Sequence, residues 1–80
     1  MAQQSKVQRL GRAVRAMRRE RDLSQEALAG LARLHTNQIG RLERGTNVQV
    51  ATLLAIMEGL DVSLAELGHA YDAQPDRPAK

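Results

Sequence analysis

The stretch that most constrains the fold is residues 24–45, SQEALAGLARLHTNQIGRLERG, where two short helical patterns follow one another with room between them only for a tight turn. In the first, Ser24 can cap the exposed amides of a helix start and Glu26 stands in the first turn, where the helix dipole favours an acid. Leu28, Ala29 and Ala32 then form an inward stripe. In the second, Ile39 and Leu42 recur at helical spacing, while Thr36, Asn37, Gln38 and Arg41 fall mostly on the outward side. Gly45 is placed to end that helix in a left-handed conformation. One side of the second helix packs and the other is left open.

The chemistry of the open side suggests what it meets. Asn or Gln matches adenine bidentately, Arg matches guanine, and a helix presenting such groups suits the major groove of duplex DNA. A merely solvated helix would more often show Glu and Lys. The segments Ser24-Gln25-Glu26, Leu28-Ala29, Leu42-Glu43-Arg44-Gly45 and Leu60-Asp61-Val62-Ser63-Leu64 resemble the lambda-repressor-like helix-turn-helix family, of the Cro/cI or xenobiotic-response-element type, over about residues 10–67. The resemblance implies an all-α, compact five-helix DNA-binding domain with helices two and three as the helix-turn-helix. It makes Thr36, Asn37 and Arg41 base-reading, with Gln38 in the same set but turned more toward the backbone, and Gln25, Arg44, Thr46 and Asn47 phosphate contacts. It also implies an ion pair between Arg18 and Glu43, tying the first helix to the end of the third. Two positions depart from the family pattern. Arg33 stands where Gly is usual, because the turn often needs a positive φ. His35 stands where Ser or Thr caps the recognition helix, leaving either His35 or Thr36 as the cap and His35 as a further candidate phosphate contact.

The rest of the chain reads as support. Residues 1–5 are polar and expected to fray. From Lys6 to about Arg21, Val7, Leu10, Val14 and Met17 mark one stripe of an amphipathic helix. Its arginines are expected to be mostly solvated, with Arg9 and Arg12 as phosphate neighbours. Val50 to Gly59 is a fourth helix whose broad apolar surface, Val50, Leu53, Leu54, Ile56, Met57 and Leu60, predicts core, and Ser63 with Glu66 forms a capping box opening a fifth. Gly40 and Gly59 inside helices suggest close approach of a neighbour, DNA in the case of Gly40. The domain is thus expected over 6–71, followed by a disordered tail over 72–80 with two prolines.

Eighty residues make one small domain with little reserve stability, for which dimerisation is a remedy. Met57, Leu64, Leu67 and Tyr71 are the candidates for the dimer seam. The chain has no cysteine, which removes disulfides and thiolate zinc sites and fits a reducing cytoplasm. No apolar run approaches the roughly 20 residues of a membrane span. His35 and His69 have no carboxylate pairing that suggests metal, no serine has a histidine-acid partner, and no glycine-rich phosphate loop is present, so neither enzyme activity nor a cofactor is expected. The one aromatic residue, Tyr71, argues against single strands and RNA loops, which stack on aromatic platforms. Charge is uneven: residues 1–44 hold ten basic side chains against four acidic, net +6, and residues 45–80 hold two against five, net −3. Positive potential therefore belongs to the half containing the reading helix.

These features predict a cytoplasmic, nucleoid-associated regulator that binds duplex DNA as a homodimer on a palindromic operator, with RNA polymerase or a regulatory protein as a further partner. A chain of this kind looks like the controller proteins of restriction-modification systems or the small phage and plasmid repressors. The alternative is a protein-interaction module, such as an antitoxin whose acidic C-terminal half binds a partner and whose DNA binding is secondary.

Overall fold

The computed structural model describes residues 2–75 and contains five helices: α1 (Ala2–Glu20), α2 (Gln25–Ala32), α3 (Thr36–Glu43), α4 (Val50–Leu60) and α5 (Leu64–Ala73). α1 lies against α3 and α5, and α2 against α3 and α4. Val14 and Met17 from α1, Leu28 and Ala29 from α2, Ile39 and Leu42 from α3, Ile56, Met57 and Leu60 from α4, then Val62 and Leu67, meet in one apolar cluster. α1 starts at Ala2, ahead of the stripe that marks it, because alanine and glutamine favour helix without adding an apolar period. Met1 lies outside the described residues. Asp72 and Ala73 belong to α5 and are followed by Gln74 and Pro75; the part of the expected tail over 76–80 lies outside the described residues.

Four helix ends share one construction. Asp22, Arg33, Gly45 and Asp61 take positive φ (55°, 59°, 88° and 57°), and each following amide bonds back to a carbonyl five residues earlier. The pairs are Leu23 to Arg18, Leu34 to Ala29, Thr46 to Arg41 and Val62 to Met57. This arrangement satisfies carbonyls the helix leaves open and reverses the chain in few residues. Only one of the four uses glycine. Arg33 therefore holds a left-handed conformation that glycine would adopt without strain.

The structure departs from the expected arrangement in three places. α4 is less completely core than its composition suggests, since Val50 is 71% and Leu54 51% exposed; the helix packs on one side only, and an apolar surface wider than that side must face out. Arg9 and Arg12 are not free for phosphates. Arg9 donates to the carbonyls of Tyr71 and Asp72 and lies 4.6 Å over the Tyr71 ring, while Arg12 donates to the carbonyl of Pro75. Arg21 likewise reaches the carbonyl of Leu60, so arginines of α1 and its end meet the open carbonyls at the ends of α4 and α5. Finally, Met57 and Leu67 are buried in the monomer's own core, so little of either side chain is open to a second copy.

Candidate nucleic-acid interface

α3 is eight residues long, and its burial divides by side: Ile39, Gly40 and Leu42 are buried, while Thr36, Asn37 and Arg41 are exposed. His35 is the N-cap, with extended φ and ψ of −76° and 146°, so Thr36 is the first helical residue. Gln38, half-buried at the third helical position, turns its Oε1 back to accept the His35 N–H at 3.0 Å. Gln38 is thereby drawn toward the helix start, leaving Thr36, Asn37 and Arg41 as the outward set. His35 itself is exposed beside them.

The start of α2 is built by Ser24, whose Oγ accepts the Ala27 N–H at 2.9 Å. Gln25, the first residue of α2, is half-buried, and its Nε2 donates to Glu43 Oε1 at 3.1 Å. The same carboxylate receives Arg18, with Nε to Oε2 at 2.6 Å and Nη2 to Oε1 at 2.9 Å, while Arg18 Nη1 donates to the carbonyl of Leu23 at 2.7 Å. The hydrogen bonds to Glu43 hold the Arg18 guanidinium above its ordinary pKa against the opposing effect of burial. Three elements thus meet at one carboxylate: α1, the start of α2 and the end of α3.

Arg44, Thr46 and Asn47 are exposed at and beyond the end of α3. Arg41 and Gln38 also face Asn47, Gln49 and Thr52 across a recess between α3 and the start of α4. Gln49 and Thr52 were not among the residues predicted from the sequence; Gln49 belongs to the polar run before α4, and Thr52, inside α4, carries no signal of its own. The side chains of Gln25 and Arg44 are the protein neighbours of Gly40. Gly11 was also missed. A methyl group there would run into the carbonyl of Leu42, so its lack of a side chain lets α1 lie directly on the end of α3. Of the predicted seam, Leu64 is 66% exposed and Tyr71 is half-buried beneath Arg9.

Among the described residues no group of three or more His, Cys, Asp or Glu is placed to hold a metal ion. No described helix is long and apolar enough to cross a membrane.

A family model described as helix-turn-helix matches residues 14–67. The fold is similar to that of the wild-type restriction-modification controller protein C.Esp1396I, at 26% identity over 84% of this chain and 88% of that one, with a TM-score of 0.78. A single-residue variant of the same protein gives 26% identity over 84% and 86%, with a TM-score of 0.79. The clp gene regulator ClgR from C. glutamicum is similar at 25% identity over 84% of this chain and 88% of its own, with a TM-score of 0.76. No curated protein matches the chain.

Proposed function

This chain belongs to the helix-turn-helix family of DNA-binding transcription regulators, and on that premise we propose that it recognises a specific duplex sequence by laying α3 in the major groove. The observation that carries the reading is the division of α3 into a buried apolar side and an open side of Thr36, Asn37 and Arg41. Asn37 and Arg41 supply the geometry that discriminates adenine and guanine, and Thr36 supplies a hydroxyl and a methyl. Gln25, His35, Arg44, Thr46 and Asn47 border that face and are the phosphate contacts. The likeness to a restriction-modification controller protein and to a clp gene regulator supports control of transcription by occupancy of an operator.

A single reading helix covers a short site, so the working unit is a homodimer on a palindrome, with the two copies of α3 about 34 Å apart. Leu64 is the apolar side chain of the expected seam that the monomer leaves most open.

A salt titration of binding to random-sequence duplex tests the reading. A groove binder loses affinity steeply as salt rises, because each neutralised phosphate releases counterions. Weak, salt-insensitive binding would instead favour a module that works through protein partners alone.

A further inference from the structure

Of the three buried residues of α3, Gly40 alone has no side chain. A glycine inside a helix lowers stability relative to alanine, so its neighbours must account for it. The space an alanine methyl would take is bordered by two polar side chains. Such a methyl would stand 2.9 Å from Arg44 Nη1, 3.5 Å from Gln25 Oε1 and 3.7 Å from Gln25 Nε2. Among the described residues no hydrogen bond joins Gln25 to Arg44, and the Arg44 guanidinium has no hydrogen-bond or ion-pair partner. Gln25 is oriented from behind, through Nε2 on Glu43 Oε1, and Glu43 is in turn held by Arg18. The protein therefore fixes the amide in place and leaves beside it a cation that nothing internal requires.

An amide with a remaining N–H and a guanidinium, side by side, are donors suited to one phosphodiester, whose two free oxygens accept both and whose charge the guanidinium neutralises. We propose that Gln25 and Arg44 grip one and the same DNA phosphate on each half-site, and that Gly40 is the residue that lets them converge. The inference rests on the DNA-binding reading above and deepens it. One phosphate would then register the start of α2 and the end of α3 together, setting how α3 enters the groove.

The test uses Gln25→Ala, Arg44→Ala and Gly40→Ala in the full chain, with thermal melting, affinity for a selected duplex, and phosphate-ethylation interference on that duplex. Because the atom nearest a methyl on Gly40 is the far end of a flexible side chain, Gly40→Ala should melt at or above the parent temperature. It should still bind every duplex about tenfold more weakly. Ethylation of one phosphate per half-site, disruptive for the parent, should be less disruptive at that same phosphate for each of the three variants. Interference reduced at two different phosphates for Gln25→Ala and Arg44→Ala, or parent affinity in Gly40→Ala, overturns the shared grip while leaving DNA binding intact. A parent protein that binds no duplex overturns the grip and the DNA-binding reading together.

Discussion

Arg33 shows at one residue how far local geometry can be forced by its surroundings. The turn from α2 to α3 needs φ near 59° at this position, and arginine supplies it against the steric preference of a side-chain-bearing residue. Arg33→Gly should raise stability by up to about 1 kcal/mol, the relief of strain outweighing the added freedom of the unfolded chain, with DNA affinity little changed. Chemical denaturation checks this, and a destabilised variant would mean that the arginine side chain contributes contacts of its own. Arg18 lies at the opposite extreme, 8% exposed and paired with Glu43. Arg18→Ala leaves that carboxylate buried without its cation and should cost about 3 to 5 kcal/mol; a loss below about 1 kcal/mol would place the pair among exposed bridges. The sequence made the apolar residues legible through their spacing, but it carried no equivalent mark for the arginines. Arg9, Arg12 and Arg21 have the same chemistry as Arg41 and Arg44. Only the packing of α1 against α5 and the end of α4 shows that the first three are turned inward onto carbonyls.

At the scale of an element, α5 depends on how it begins. Glu66 Oε1 accepts the Ser63 N–H at 2.9 Å and the Glu66 N–H donates to Ser63 Oγ at 3.0 Å. The bond from the Ser63 backbone, aided by its hydroxyl, holds the Glu66 carboxyl below its ordinary pKa of 4.5. A depressed folded pKa means that the ionised group stabilises the fold above its unfolded value, and that this contribution fades as pH falls through the folded one. The melting-temperature gap between the parent and Glu66→Gln should therefore be open at neutral pH and close in acid below the ordinary glutamate range. A gap that stays constant would detach the carboxylate from the cap. Ser63 and Glu66 were readable in sequence because a capping box has fixed spacing. Gly11 was not, because a glycine in a helical pattern signals close approach without naming the neighbour. Gly11→Ala would press on the carbonyl of Leu42, which is backbone and cannot swing aside, and should cost about 1 to 3 kcal/mol. Unchanged thermal melting would show that α1 can shift away from α3.

Across the whole molecule, the +6 of residues 1–44 overstates what is available to a polyanion, since Arg9, Arg12, Arg18 and Arg21 are all engaged within the chain. The cations left at the open face of α3 and its end are Arg41 and Arg44. Binding strength on a single half-site is correspondingly limited, and pairing two copies is the natural way to increase it. The surface on which two copies would pair was the least legible from the sequence. Its candidate residues are apolar whether they face a second copy or their own core, and Met57 and Leu67 pack into the core of the monomer. Leu64→Asp should shift sedimentation toward the monomer and weaken binding to a two-fold site more than to a single half-site; an unchanged mass would move the seam elsewhere. Whether the open side of α3 reads bases is decided by selecting bound duplexes from a random pool with the parent and with Arg41→Ala. The parent should select a two-fold symmetric consensus with half-sites about one helical turn apart. In Arg41→Ala, preference should relax at one base pair per half-site, with affinity lower by about 1 to 3 kcal/mol. No enriched sequence, or a consensus that Arg41→Ala leaves unaltered, would contradict base reading by α3.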